Sequence, residues 1–213
     1  MLGFNMRFRP GFQKLKEVLQ SPVIGKPLLY WSQRFSFVGD GNWRTNQQTL
    51  SGFTIESLSH DIDLFQWLSG NQVVSVCGNV MNSRAELSGY DDNANVILQL
   101  KDGSSASIQA SWSSPLEFNN RGIVGVEGTA MVSGRGTWDI DKFICRNKNW
   151  PAERNVALDD PLDARSYAEI NRRFIDCMKE GRKPEITAED GLSILRISHA
   201  ILESSRTGKP ISL

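Results

Sequence analysis

Apolar and polar residues alternate with a period of two from Leu28 to Val38. Leu29, Trp31, Phe35 and Phe37 project to one side, and Ser32, Arg34 and Ser36 to the other. That period predicts a strand. From Leu50 to Gly70 the period changes: Ile55, Leu58, Ile62, Phe65 and Leu68 recur at spacings of three and four, which predicts a helix with one buried face. Ahead of both, Leu2-Gly3-Phe4-Asn5 reads as the tail of a strand. Phe12, Leu15, Val18 and Leu19 then mark a short amphipathic helix with Pro10 in its first turn.

Beyond Gln72 the pattern is dominated by strands. Val73 to Val80 is one. Ala94 to Leu100 and Ser105 to Trp112 flank Asp102-Gly103, a strong hairpin signal. Ile123 to Val126 and Ala130 to Val132 flank Glu127-Gly128, a second hairpin, and Thr137 to Ile140 with Lys142 to Cys145 form a third, weaker pair. Asn147 to Pro161 reads as loop. A helix follows from about Asp163, with Tyr167, Ile170, Phe174, Cys177 and Met178 on one face and Gly181 as its stop. Thr187 to Asp190 resembles a capping box ahead of a last helix, which carries Leu192, Leu195 and Leu202 and ends at Gly208.

Strands are grouped rather than alternating with helices, and short connections between successive strands require antiparallel pairing. The fold class is therefore α+β: a large, mainly antiparallel or mixed open sheet with helices packed on one face. The other face of such a sheet is uncovered. Ser105 to Trp112 gives it small and polar residues, and such a face suits a subunit interface.

Composition narrows the function more than the fold. Lys plus Arg equals Asp plus Glu at 24 each, so no basic block points to nucleic acid and no acidic tail to a basic partner. No apolar run approaches the roughly 20 residues that cross a bilayer, and the apolar stretch at the N-terminus is too short for a signal peptide. Cys77, Cys145 and Cys177 are odd in number and far apart. They read as small core residues with reduced thiols, in a cytoplasmic protein.

Candidate chemistry gathers in the Leu50 to Gly70 helix. Glu56 and His60 lie one turn apart on one side, where a carboxylate and an imidazole can share a proton. A hydrogen bond within the helix, without catalysis, is the competing reading. His60 is one of two histidines in the chain, too few for the metal site of an HD-type phosphohydrolase. Asp63 is expected to bond to backbone or to an arginine such as Arg7, and Asp61 to face solvent or the cleft. Trp43 and Arg44, in the loop before the helix, line a sugar pocket on one reading, since indole stacks on sugar rings and guanidinium binds anions. On the other they hold a surface loop. Arg7 and Arg34 are left open between the pocket and structural ion pairs. Tyr30, Trp31, Trp112 and Trp138 read as core or interface residues. Asn42 to Gln48 and Asn119-Asn120 are the loop positions expected to set specificity.

Four stretches together resemble the Gfo/Idh/MocA family, the relatives of glucose–fructose oxidoreductase and inositol dehydrogenase. They are GFNMRFRP (Gly3 to Pro10), VIGKP (Val23 to Pro27), GFTIESLSHDIDLFQWLSG (Gly52 to Gly70) and the segment Arg172 to Leu213. The resemblance covers nearly the whole chain, in the right order. It implies a dihydrodipicolinate-reductase-like C-terminal domain, here a single substrate-binding and oligomerisation domain over residues 1–213, with 1–9 as the remnant of the junction with a cofactor domain.

It also implies that His60 takes part in proton transfer from a substrate hydroxyl. Glu56 would orient it or bind a neighbouring hydroxyl, with Trp43, Arg44, Asp61 and Arg7 around the substrate and NAD or NADP as hydride acceptor. The GxGxxG turn that seats a dinucleotide is not found in the sequence, and neither is the family's Glu-Lys-Pro motif. The expectation is the substrate-binding half of an NAD(P)-dependent oxidoreductase acting on a sugar, sugar derivative or cyclitol, inactive without a Rossmann domain, which is either lost by truncation or carried by a separate chain. The partners implied are a sugar-like small molecule and further copies of the chain, a dimer or larger homo-oligomer joined through the open sheet face. A non-catalytic binding or oligomerisation module of the same fold is the alternative.

Overall fold

A computed structural model of the chain describes residues 1–46, 52–162 and 164–213. Among them, nine strands form one sheet: β1 (Pro27–Phe37), β2 (Val73–Met81), β3 (Asn93–Leu100), β4 (Ser105–Ser111), β5 (Ser113–Gly125), β6 (Gly128–Arg135), β7 (Ile140–Asn147), β8 (Arg154–Asp160) and β9 (Ile211–Ser212). Their order across the sheet is β8-β7-β6-β5-β1-β4-β3-β2-β9. All neighbours are antiparallel except β1 and β4. After β1 the chain crosses two helices to β2, next to the edge strand β9, and returns by two antiparallel steps, which lays β4 beside β1 in the same direction.

The helices are α1 (Pro10–Leu19), α2 (Gly52–Glu56), α3 (Leu58–Ser69), α4 (Ala164–Glu180) and α5 (Ala188–Thr207). Phe12 and Leu15 of α1 are buried where that helix crosses β6 and β7. Leu58, Ile62, Phe65 and Leu68 of α3 are buried as their spacing predicts. Gly70, in the left-handed conformation at φ 66°, ends α3 by donating its N–H to Gln66 O. The Thr187–Asp190 capping box is present at the start of α5. In that helix the large apolar residues that are buried are Ile194, Ile197 and Ile201, whereas Leu192 and Leu195 are exposed. The isoleucine row meets β2, and the leucines lie on the opposite side.

The sequence expectations differ from the structure at several further points. Leu2 to Asn5 forms no strand, and Asn5–Phe8 is a 3-10 turn. Asn147 to Pro161 is not all loop, because Arg154–Asp160 pairs with β7 as β8. The third hairpin is therefore β6–β7, whose turn holds Thr137 and Trp138, and β7–β8 is a fourth. β5 begins ten residues earlier than Ile123, at Ser113, so Asn119 and Asn120 are strand residues rather than loop. Leu50 and Ser51, and Gln47 and Gln48 of the expected specificity loop, lie outside the described residues, as does Asp163, near which α4 was expected to start.

One face of the sheet is covered by helices and the other is open. The covered face takes Tyr30, Ser32, Arg34 and Ser36 from β1, all buried. The open face takes Leu29, Trp31, Gln33, Phe35 and Phe37. Trp112 lies on the covered side, 5% exposed, with its ring edge-on to Phe53 at 4.7 Å. Cys145 and Cys177 are buried, but Cys77 is exposed, because it falls on the open side of β2. No helix among the described residues is long and apolar enough to cross a membrane.

Candidate functional site

The predicted helix is interrupted between Glu56 and His60. Ser57 separates α2 from α3, with φ −106° and ψ −40°. His60 N–H donates to Ser57 O at 3.3 Å, one residue closer than the α-helical partner. The first helix is held from outside itself. Asp91 Oδ2 accepts from Thr54 N at 2.7 Å and Thr54 Oγ1 at 2.5 Å, and Asp91 O accepts from Phe53 N at 2.8 Å. Gly52 permits this: its φ is +74°, and a Cβ there would meet Asp91 Oδ1 at 2.0 Å.

Glu56 is turned toward Arg44 rather than His60. Arg44 Nη2 donates to Glu56 Oε1 at 3.0 Å. The guanidinium lies over the Trp43 ring at 4.5 Å and near the Trp112 ring at 5.3 Å. The His60 ring is boxed edge-on by Trp138 at 5.3 Å and Phe4 at 5.7 Å. Burial, followed by Arg34, pushes the imidazole pKa down to about 4, with Asp61 and Glu56 opposing. The ring is therefore uncharged at neutral pH.

Asp61, expected to face solvent or the cleft, is 0% exposed. Its Oδ1 accepts from Ser32 Oγ at 2.8 Å and Arg121 Nε at 3.0 Å, and its Oδ2 from Arg34 Nη2 at 2.9 Å. Burial raises a carboxyl of this kind, but here Arg34, Arg121 and Ser32 outweigh it and hold the group at about 2. These donors rise from the sheet directly beneath α3 and draw the carboxylate inward.

Arg7 stands apart. Its Nε and Nη2 bind Asp63 at 3.0 and 2.5 Å, as anticipated for that pair, and Nη2 lies 3.6 Å from Asp190. It lines a different cavity, of about 440 Å³, with Gln66, Trp67 and Ser193. The structure thus gathers Trp43, Arg44, Glu56 and His60, sets Asp61 under them, and leaves Arg7 elsewhere.

Among the described residues, seven buried side-chain polar atoms have no hydrogen-bond partner, and four belong to this cluster: Arg44 Nε, Glu56 Oε2, His60 Nδ1 and Arg121 Nη2. Two are donors. Glu56 Oε2 is an acceptor, and the neutral imidazole can be either. Unmet groups of both kinds suit a ligand that donates and accepts, as a polyol hydroxyl does.

Sequence reasoning weighed Arg34 without settling it, placed Trp138 in the core or at an interface, and passed over Arg121, Ser32 and Phe4. The polar row Ser32-Arg34-Ser36 opposite a helix carrying an aspartate was the available signal for Arg34. Arg121 gave none, because its strand was not recognised that far back.

Fold and site together define an open-sheet α+β domain whose helix pair presents a histidine over a buried charged network. The family model for the GFO/IDH/MocA C-terminal domain matches residues 12–131. That is more than half of the chain, and the chain belongs to this family. It is 23% identical over its whole length to scyllo-inositol 2-dehydrogenase (NAD(+)) of Bacillus subtilis and covers 62% of that protein. It is 26% identical over 95% of its length to inositol 2-dehydrogenase 2 of Paenarthrobacter aurescens and covers 59% of it. The chain thus spans about three-fifths of the length of these curated relatives. In structure it resembles the aldose-aldose oxidoreductase of Caulobacter crescentus complexed with glycerol, with a TM-score of 0.84 at 20% identity over the whole chain and 63% of that protein.

Proposed function

We propose that this chain is the substrate-binding part of an NAD(P)-dependent oxidoreductase acting on a hydroxyl of a sugar, sugar derivative or cyclitol. The observation that carries this reading is the set of unpartnered buried atoms on Arg44, Glu56 and His60. The names of the relatives, inositol dehydrogenases among them, support the substrate class. In this reading the hydroxyl to be oxidised lies at His60, whose neutral imidazole takes its proton. Glu56 Oε2 accepts from a neighbouring hydroxyl, and Trp43 offers an apolar face to the ring. Arg44 holds Glu56 in place.

Among the described residues, the one parallel strand pair, β1 with β4, has no glycine-rich turn leading into a helix. In this reading NAD or NADP comes with a nucleotide-binding domain outside the described residues. Hydride acceptance is the chemistry that such a group supplies.

The test is a titration of the chain with myo-inositol, scyllo-inositol and D-glucose, followed through the NMR signals of His60. At least one polyol is expected to shift them saturably, and Glu56→Ala to weaken that ligand by at least tenfold, the effect of losing one charged hydrogen bond of roughly 1.5–3 kcal/mol. A chain whose His60 signals respond to none of the three defeats the proposal.

A second reading concerns assembly. Leu29, Phe37 and Ile97 are each more than half exposed on the open face, and apolar residues grouped in this way mark association surfaces. We propose that copies of the chain associate through this face, whether or not they catalyse.

A further inference from the structure

The Asp61 network does more than fill the space below α3. Arg121 Nη1 donates to Asn119 Oδ1 at 2.9 Å. Asn119 Nδ2 donates to Gly136 O at 3.0 Å and Asp139 O at 2.8 Å, gripping the turn that carries Trp138. Arg9 Nη1 donates to Trp138 O at 2.6 Å. The Trp138 ring is stacked over Arg34 at 4.5 Å and Arg121 at 5.7 Å, and its edge closes on His60 at 5.3 Å. The path returns through the backbone, since His60 precedes Asp61. Two sheet strands, one turn and one helix are thereby locked around a single imidazole.

We propose that Arg34, Arg121 and Asn119 are positioning residues for His60, forming with Asp61 and Trp138 a closed circuit that fixes the ring and surrounds it with a surplus of positive charge. This rests on the reading of His60 as the group that meets the substrate hydroxyl.

The charges facing the ring can be counted element by element. From β1 comes Arg34, from β5 Arg121, from α3 Asp61, and from α2 Glu56, which Arg44 of the Trp43–Thr45 turn neutralises. The N-terminal segment sets Phe4 and the β6–β7 turn sets Trp138 against the ring, and Arg9, ion-paired to Asp160, reaches Trp138 O behind it. Two guanidiniums thus face one unneutralised carboxylate, both arginines are at most 1% exposed, and Arg121 Nη2 has no acceptor. A cation fixed near an imidazole, away from water, disfavours its protonation. The circuit therefore adds to the effect of burial in keeping the ring uncharged, and free to accept a hydroxyl proton, well into the acid range.

The chain's two histidines make this directly measurable. The Cε1–H resonances of His60 and exposed His199 are assigned with His199→Gln and titrated with pH. In the unsubstituted protein His60 is expected to titrate below about pH 5. Arg121→Gln and Arg34→Gln should each raise that midpoint by about one pH unit, a tenfold gain in proton affinity. Arg121→Lys, which keeps the charge, should leave it in place, and the His199 curve should be the same in every variant. Asn119→Ala should hold the midpoint but change the His60 shift, as the Trp138 ring moves away.

A His60 midpoint at or above about pH 6 in the unsubstituted protein overturns the proposal even if no variant folds. So does an unmoved midpoint in folded Arg121→Gln and Arg34→Gln. Failure of the underlying reading looks different: a low midpoint that responds to the arginines, on a ring that no polyol perturbs.

Discussion

Along β1 the two faces of the sheet exchange their usual residues. Under the helices lie Ser32, Arg34 and Ser36, all buried, while Leu29 and Phe37 are 51% and 57% exposed on the open side. The polar row is tolerated because each member has a partner. Ser32 and Arg34 bind Asp61, Arg34 Nη1 also donates to Ser57 Oγ at 2.9 Å, and Ser36 Oγ donates to Ser111 O at 3.4 Å. Among the described residues, the apolar row is packed within its own layer. Phe35 stacks on Phe118 at 4.9 Å, and Trp31 lies across Gly122, where a Cβ would meet its ring at 2.2 Å. Burial along this strand follows the position of the helices, and the polar face is the one that organises the site.

This contrast can be broken most sharply at Asp61. Asp61→Ala leaves Arg34 and Arg121 buried without their carboxylate, and a cost of about 3–5 kcal/mol is expected, read as a fall in the urea midpoint. A loss below about 1 kcal/mol would mean that water reaches the two guanidiniums.

Acid should act in the same place. His60 titrates near 4 in the folded chain and near 6.5 when unfolded, so between those values the unfolded chain binds more protons. The His60 contribution to stability then rises with pH across that window, while Asp63, raised to about 6 by burial, contributes with the opposite sign over the same range. On acidification the His60 contribution falls by up to about 3 kcal/mol. Asp61, held at about 2, adds a loss of the same sign as the pH falls further, from its unfolded value of about 3.9. His60→Gln should flatten the upper part of the curve, as followed by urea unfolding at stepped pH. An unchanged slope there would place the dependence on other groups.

The smallest effect on the fold belongs to the open face. Leu29→Ser and Phe37→Ser should change the stability of the isolated chain by no more than about 0.5 kcal/mol. If copies associate through this face, each change should weaken that association by about 1.5–3 kcal/mol, or at least tenfold, measured by sedimentation at several concentrations. Association that is indifferent to both would move the interface elsewhere.

Local patterns predicted most of the elements correctly. Helix spacing placed α1 and α3, alternation placed β1, Asp102-Gly103 marked the β3–β4 turn, and the glycines at 70, 181 and 208 end helices at φ 66°, 63° and 67°. The errors fall where partners decide. β8 is a run of mostly exposed residues that becomes a strand because β7 offers it an edge. The front half of β5 carries Pro115, Glu117 and two asparagines, and becomes a strand because β1 lies alongside. In α5, leucines and isoleucines are equally apolar, and only the approach to β2 chose the isoleucines. The resemblance to the family rested on short local stretches, and for that reason it survived these errors.

The amino-acid order was enough to establish the α+β class, the family, and the helical character of the stretch that carries Glu56 and His60. All three depend on residues close together in the chain, whose spacing is set by backbone geometry. Tertiary structure decided that the helix breaks at Ser57, that Glu56 binds Arg44, and that Asp61 turns inward. It also joined His60 to Arg34 and Arg121, across 26 and 61 positions of sequence. Buried charges select their partners by distance in space and by exclusion of water, and neither is written in local order.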